Sequence, residues 1–348
     1  MKKLYYIVTC FTFLSCGSSL KNTIDYASKF ANSITAEDLK KHLFVYASDE
    51  FEGRGTGQAG QKKAVEYLKD FYVDMKIPSP ISGEDYFQKI TNEWFKTNSW
   101  RSKFLKDSEN VLAFIEGTEK PKEVIVISAH LDHVGKINDK IYYGADDNGS
   151  GTVAILEIAQ AFKMAKKAGK GPKRSILFLH VTGEEKGLLG SQFYTENPIF
   201  PLENTVCNLN IDMIGRIDDR HKENPNYVYL IGSDKLSTEL HNLSEAINNK
   251  YTNIALDYKY NDENDPNRFY YRSDHYNFAK FNIPIIFYFN GTHADYHQPS
   301  DTPDKINYDL LENRTKLVFY TAWEIANREK RIIADKIQQK NKQIYSLK

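Results

Sequence analysis

Short apolar runs alternate with amphipathic helical patterns through most of this chain, and this alternation limits the fold more than any other feature. The apolar runs predict strands at 124–128, 176–181, 209–213, 227–231 and 285–289. Apolar residues at three- and four-residue spacing predict helices at 36–46, 64–75, 152–168, 188–194, 236–249 and 308–327. Strands alternating with helices predict an α/β fold, a three-layer sandwich whose mixed, mostly parallel central sheet is flanked by helices.

Residues of the types that commonly bind metals lie at or just past the ends of these predicted strands. They are His130 and Asp132, Asp146, Glu184 and Glu185, Asp212, and Tyr296 and His297. In open α/β sheets, ligands bind in the crevice beyond the carboxyl ends of the strands. These residues supply imidazoles and carboxylates for two zinc ions and leave one glutamate as a general base, which predicts a hydrolase.

Charge balance and geometry assign roles within this set. Three carboxylates and a bridging hydroxide neutralise two zinc ions, which lowers the cost of burying them. Asp146 is the predicted bridge, because the glycine-flanked turn at 144–151 would hold a short carboxylate rigidly. Glu184 and Glu185 point to different sides, so one can bind metal while the other faces water. Asp132 lies two residues after His130, and its carboxylate is predicted to accept a hydrogen bond from the His130 imidazole.

Other polar residues leave alternatives open. His293 competes with His297 for the last ligand position, and the pairing with Tyr296 favours His297. Asp301 either orients His297 or caps the following turn. We expect His133 to be a loop residue and His180 to be a strand residue that faces the core or a neighbouring helix.

The same segments resemble a known family. SAHLDHVG at 128–135, GADDNGSG at 144–151, TGEEKGLLGS at 182–191, NIDMIG at 210–215 and DYHQPSDT at 295–302 are similar to motifs of the di-zinc aminopeptidases of metallopeptidase family 28. ASDEFEGRGTG at 47–57 resembles an N-terminal motif of bacterial members. The resemblance runs from about residue 35 to residue 327, and it implies a zinc-exopeptidase fold of the phosphorylase/hydrolase-like type.

The resemblance also implies a ligand set for two Zn²⁺ per chain. His130 and Asp212 would bind one zinc, Glu185 and His297 the other, and Asp146 both. A cis peptide bond would join Asp146 to Asp147.

Roles for the remaining residues follow from the same resemblance. Glu184 would be the general base for a metal-activated water, and Tyr296 would help to hold the oxyanion. Arg272, Ser273 and Asp274 resemble a loop near the amino end of the substrate, although Ser273 is equally suited to capping a helix.

The predicted activity is that of an aminopeptidase acting on peptides with a free N-terminus. The alternatives are a mono-zinc glutaminyl-peptide cyclotransferase, a carboxypeptidase and a non-catalytic peptide-binding lipoprotein. Side-chain specificity is not readable, although the segments at 94–100 and 261–271 are candidates for the pocket. A formal net charge of zero over 348 residues gives no support for nucleic-acid binding.

The N-terminus predicts export. Lys2 and Lys3 precede a short apolar stretch at 4–14, and Cys16 follows in a sequence that resembles a lipoprotein cleavage site. We therefore expect a signal peptide at 1–16, a single peptidase domain at 24–330 without an inserted protease-associated domain, and a helix end or tail at 331–348. The protein would be periplasmic or anchored to the outer membrane through a lipid on Cys16, or else secreted. Cys207 is expected to be a buried, inert thiol.

Overall fold

The computed structural model describes Met1 and residues 24–81, 85–99 and 102–336. The predicted signal peptide, apart from Met1, and the last part of the predicted tail lie outside these residues. Among the described residues, no helix has the length and apolar character needed to span a membrane.

An eight-stranded mixed sheet forms the centre of the fold. The strands are β1 (Phe87–Ile90), β2 (Ser108–Ile115), β3 (Lys120–His130), β4 (Gly135–Ile137), β5 (Lys140–Tyr142), β6 (Arg174–Val181), β7 (Thr205–Ile211), β8 (Tyr227–Ile231), β9 (Ala255–Asp257) and β10 (Ile285–Phe289). Their order in the central sheet is β1-β2-β6-β3-β7-β10-β8-β9, and a separate hairpin pairs β4 with β5.

The four middle strands, β6, β3, β7 and β10, run parallel to one another. Within the described part of this sheet, antiparallel pairing occurs only on the flanks, where β1 pairs with β2, β2 with β6, and β8 with β10. The carboxyl ends of the four middle strands therefore meet at one edge of the sheet. This arrangement confirms the predicted mixed α/β sheet.

Helices cover both faces of the sheet. They are α1 (Tyr26–Ala31), α2 (Ala36–Tyr46), α3 (Ala59–Asp74), α4 (Asn92–Asn98), α5 (Gly151–Lys167), α6 (Leu189–Glu196), α7 (Thr238–Tyr251), α8 (His275–Ala279) and α9 (Tyr308–Asn327). Alternate residues of β3 belong to different apolar clusters: Ile125 and Ile127 pack with Leu156 of α5, whereas Val126 packs with the layer that contains Phe278 of α8. This alternation is expected of a strand buried on both faces, and it produces the three layers.

Local signals set several of the boundaries. Helix α2 begins after Thr35, whose hydroxyl accepts a hydrogen bond from the backbone N–H of Asp38 at 3.1 Å. Strand β7 ends at Ile211, earlier than predicted, because Met213 has a φ of 59°. Residues 331–336 are not helical, and their path passes the start of α7, where Asp335 accepts a hydrogen bond from the backbone of Thr238.

Candidate metal centre

The candidate site lies at the edge where the middle parallel strands end. His130 is the last residue of β3, Glu184 and Glu185 follow β6, and Asp212 follows β7. His297 lies in the segment after β10. Because these strands are parallel neighbours, residues from distant parts of the sequence are brought together, as the strand-end pattern predicts.

The carboxylate of Asp147 lies between two histidines. Its Oδ1 is 3.2 Å from Nε2 of His130, and its Oδ2 is 3.0 Å from Nε2 of His297. A further carboxylate stands beside each ring: Asp212 Oδ1 is 3.4 Å from His130 Nε2, and Glu185 Oε2 is 3.2 Å from His297 Nε2. The four outer residues thus form two groups that share Asp147.

Asp146, the predicted bridge, does not occupy this position, so that prediction needs correction. Its Oδ1 accepts a hydrogen bond from the backbone of Gly215 at 2.7 Å, and its Oδ2 accepts one from Asn290 Nδ2 at 3.1 Å. His293 Nε2 is also 3.1 Å from Asp146 Oδ2, so His293 belongs to this supporting group and not to the metal ligands. The wide helical turn at Ala145–Ser150 aims the first aspartate away from the histidines and the second toward them.

The backbone of this turn is held from the opposite side by Asp301. Its Oδ2 accepts hydrogen bonds from the backbone N–H groups of Asp146 at 3.0 Å and Asp147 at 3.2 Å. Asp301 therefore serves neither of its two predicted roles. The cis peptide bond also lies one position later than expected, between Asp147 and Asn148.

The group around His130 is supported by the loop that follows β3. The Nδ1–H of His130 donates to the backbone carbonyl of Asp132 at 3.0 Å, while the Asp132 carboxylate is 3.9 Å away. That carboxylate instead accepts hydrogen bonds from the Thr56 hydroxyl at 2.6 Å and from the backbone N–H of Glu184 at 3.2 Å. Asp132 therefore orients His130 through its carbonyl, which corrects the prediction, and its carboxylate holds the start of the Glu184 loop.

The glycine-rich N-terminal motif also contributes to this support. Arg54 is fully buried, and its guanidinium donates to the backbone carbonyls of Leu131 at 3.1 Å and Gly144 at 2.7 Å. It also reaches the carbonyl of Tyr143 at 2.8 Å. One side chain thus joins the loop after β3 to the aspartate turn. Sequence reasoning did not assign this role.

The residues predicted to contact substrate divide into two kinds. Arg272 lines a cavity at the candidate metal centre. The same cavity is lined by Asp147, Glu184, Asp212 and Tyr296. Ser273 and Asp274 are buried instead. The Ser273 hydroxyl donates to Asp212 Oδ2 at 2.7 Å, and Asp274 accepts from the Ser191 hydroxyl at 2.5 Å.

Glu184 and Tyr296 face the same cavity. Burial raises the pKa of Glu184 well above its ordinary value, with the neighbouring carboxylates Glu185 and Asp212 adding to the shift. Burial and the negative charges of Asp147 and Glu185 also raise the pKa of Tyr296. Glu184 has an oxygen within 4.8 Å of ligand atoms of His130 and Asp212, so it is close enough to act on anything bound there.

The sequence did not predict that His133 lies in the site; it was expected only to be a loop residue. It is fully buried, and its Nδ1 is 2.8 Å from Glu185 Oε1. His180, in contrast, behaves as predicted: it is buried in β6 and its Nε2 is 2.7 Å from the hydroxyl of Tyr72.

These residues fit a metal centre by their chemistry. Burial opposes a charged imidazole at His297, but hydrogen bonds to Asp147 and Glu185 outweigh it and raise the pKa of His297 to about 10. The same carboxylates would favour any other cation at that position. Both nitrogens of His133 and Oε1 of Glu185 are buried without a partner in hydrogen-bond geometry, and atoms of these types are suited to binding a metal ion.

Comparisons with known proteins identify the family of this chain. The sequence profile described as peptidase family M28 matches residues 110–322. A probable leucine aminopeptidase of Arthroderma otae is 31% identical over 225 residues, which cover 62% of this chain and 57% of that protein. Leupeptin-inactivating enzyme 1 of Streptomyces exfoliatus is 27% identical over 318 residues, which cover 84% of this chain and 62% of that protein. The chain thus spans less than two thirds of these relatives.

Solved structures show the same fold. The LapA aminopeptidase of Legionella pneumophila superposes with a TM-score of 0.66 at 22% identity, covering 87% of this chain and 75% of that one. BSAP, described as a zinc aminopeptidase from Bacillus subtilis, gives a TM-score of 0.64 at 16% identity, and the match covers 88% of this chain and 99% of that one.

Proposed function

Because this chain belongs to peptidase family M28, we propose that it is a zinc-dependent aminopeptidase that releases the N-terminal residue of peptides. The observation that carries the proposal is the carboxylate of Asp147, which lies 3.2 Å from His130 and 3.0 Å from His297. Each histidine has its own second carboxylate, Asp212 or Glu185. Glu184 remains beside them as an additional acidic group.

The proposed ligands are His130, Asp147 and Asp212 for one zinc, and Asp147, Glu185 and His297 for the other. Imidazole nitrogens and carboxylate oxygens are ordinary zinc ligands, and the carboxylate of Asp147 would serve both ions. When bound, the two ions would lower the pKa of a water molecule and polarise the scissile carbonyl.

Glu184 is the proposed general base, which would take a proton from the attacking water and give it to the leaving amine. Its position at the cavity and the pKa raised by burial both support this role. The hydrogen bond from the Glu184 backbone to Asp132 fixes the start of the loop. Tyr296 is the proposed hydrogen-bond donor to the oxyanion, since its raised pKa keeps the hydroxyl protonated.

The cavity wall suggests which N-terminal residues are preferred. Besides the polar residues, the cavity is lined by Met213, Phe269, Phe287 and Phe289. An apolar wall favours an apolar side chain, because burying its surface is favourable by about 25 cal/mol per Å². We therefore propose a preference for leucine, methionine and phenylalanine, consistent with the names of the fungal relatives.

One observation favours a second candidate, a carboxypeptidase. The guanidinium of Arg272 lines the cavity, is 3.5 Å from the Tyr296 hydroxyl and stacks 4.8 Å from the ring centre of Phe269. Such a cation could bind the terminal carboxylate of a peptide. A relative from Arabidopsis thaliana, 35% identical over 105 residues, is named a probable glutamate carboxypeptidase.

Two substrate series separate these activities. Aminoacyl-p-nitroanilides test for release from a free N-terminus, and N-acetylated dipeptides test for release from a free C-terminus. We expect chelator-sensitive hydrolysis of the leucyl compound and none of the acetylated series, with Glu184→Gln as the inactive control. Hydrolysis of the acetylated series alone would establish the carboxypeptidase. Pyroglutamate formation from a glutaminyl peptide would indicate the cyclotransferase.

We also propose export, from the N-terminal sequence alone. Cleavage before Cys16 and lipidation of its thiol would anchor the protein to a membrane, and peptides would be its partners. The mass of the mature N-terminal peptide tests this: a diacylglyceryl-modified Cys16 is expected. An unmodified N-terminus at another residue would contradict lipidation, and an uncleaved N-terminus at Met1 would contradict export.

A further inference from the structure

His133 lies against the second group of candidate ligands without an evident structural reason. Its backbone N–H donates to the Arg54 carbonyl at 3.2 Å, which fixes the loop. Its Nδ1 is 2.8 Å from Glu185 Oε1 and 3.8 Å from Asp147 Oδ2. The His133 ring centre is also 5.7 Å from that of His297. The imidazole therefore faces the same space as the carboxylates of Asp147 and Glu185.

The 2.8 Å contact between His133 Nδ1 and Glu185 Oε1 is close enough for an ion pair but lacks the geometry of a hydrogen bond. Neither nitrogen of His133 has a hydrogen-bond partner, and Oε1 of Glu185 has none either, although all three atoms are buried. A buried polar group left unpaired costs about 1–3 kcal/mol, so an uncompensated arrangement of this kind is unfavourable. An ion between the ring and the carboxylates would satisfy both sides at once.

The surrounding backbone leaves room for this ring. A Cβ atom on Gly144 would lie 2.4 Å from Cγ of His133, so no larger residue fits there while the ring stays in place. Gly144 also has a φ of +55°, which favours glycine. The turn that carries Asp147 and the loop that carries His133 are thus fitted to each other.

We propose that His133 is a ligand of the same metal as Glu185 and His297. One ligand atom each from His133, Asp147 and Glu185 lie within 4.8 Å of one another. The proposal rests on the metal centre proposed above and extends it. The two metal positions then differ: one has His133, His297, Asp147 and Glu185, while the other has only His130, Asp147 and Asp212.

This difference predicts unequal behaviour of the two metals. Four protein ligands are typical of closed zinc sites, whereas three leave a position open for water or substrate. The position with His133 should therefore retain its metal longer during chelation. The position at His130 should lose its metal first and offer the open coordination site.

Counting the bound imidazoles tests the assignment directly. In protein loaded with Co²⁺, each imidazole bound through one nitrogen carries an N–H on the other, and the nearby paramagnetic ion shifts that proton far outside the usual NMR range. We expect three such solvent-exchangeable signals in the wild-type protein, from His130, His133 and His297. Two signals would overturn the proposal while leaving the metal centre intact. Failure of the wild-type protein to bind metal would instead contradict the proposed function.

Variants distinguish a ligand from a supporting residue. His133→Gln should remove one signal and weaken the tighter metal by more than roughly 100-fold, beyond the 10–100-fold typical of residues that only orient a ligand. His180→Gln, which removes another buried imidazole from β6, should keep all three signals and both affinities. Unchanged signals in His133→Gln would refute the assignment. If His133→Gln does not fold, the wild-type count decides.

Discussion

The two carboxylate oxygens of Asp147 face different histidines, Oδ1 toward His130 at 3.2 Å and Oδ2 toward His297 at 3.0 Å. The histidines come from the ends of β3 and the segment after β10, so a single short side chain connects distant parts of the sequence. Its neighbour Asp146 points the other way and hydrogen-bonds to Gly215 and Asn290. Adjacent, chemically identical residues should therefore differ in their effects.

We predict that Asp147→Asn loses metal and activity, because an amide cannot supply the shared negative charge. Turnover should fall by at least about 10³-fold, on the scale of an essential catalytic group. Asp146→Asn should keep its metals and lose about 1–3 kcal/mol of stability, since it alters buried hydrogen bonds. Elemental analysis and urea unfolding measure the two effects. Equal metal loss in both variants would contradict the distinction.

Glu184→Gln should separate metal binding from catalysis. We expect the variant to retain its full metal content, because Glu184 is proposed as base and not as ligand, while kcat falls by about 10²–10⁴-fold. The comparison is Glu185→Gln, which should lose the metal shared with His297. Metal loss in Glu184→Gln would make Glu184 a ligand, and near-normal kcat would remove it from the mechanism.

Tyr296→Phe removes one proposed donor to the oxyanion and leaves the ring in place. Losing one oxyanion donor typically costs about 10²–10³-fold in kcat. KM and metal content should change little. Steady-state kinetics on the leucyl substrate measures this, and a rise in KM with unchanged kcat would assign Tyr296 to substrate binding alone.

Acid should destabilise the protein partly through His180. Burial lowers the pKa of His180 to about 3, from 6.5. The unfolded chain therefore binds a proton below about pH 6.5 that the folded chain does not bind until about pH 3. Each pH unit in this window should cost about 1.4 kcal/mol of stability from this residue.

Urea unfolding from pH 7 to pH 4 tests this dependence, with the slope of stability against pH as the measurement. His180→Gln should have a shallower slope than the wild-type protein. Tyr72→Phe keeps the imidazole of His180 and removes only the tyrosine hydroxyl, which lies 2.7 Å from His180 Nε2. This variant should retain the steep slope. Identical slopes in His180→Gln and wild type would show that another group titrates.

Periodicity and strand ends made much of this molecule predictable. The pattern at 308–327 predicts α9 at its full length, and the apolar runs predict β8 and β10. His130, Glu184, Glu185, Asp212 and His297 were identifiable because they end or follow strands that become parallel neighbours.

Orientation within turns was not predictable in the same way. Which of Asp146 and Asp147 faces the histidines depends on the winding of the turn at Ala145–Ser150. Hydrogen bonds that the backbone of this turn donates to Asp301, far along the chain, fix that winding. Likewise, His133 follows a strand in a sequence typical of a loop. Its burial depends on contacts with Gly55 and Gly144, which spacing alone does not reveal.

The metal content of the purified protein tests the central claim most directly. We predict close to two zinc ions per chain by elemental analysis, loss of leucyl-p-nitroanilide hydrolysis when a chelator removes them, and recovery when zinc is restored. A protein that hydrolyses the substrate at full rate without metal, or that binds no metal when zinc is supplied, would contradict the account.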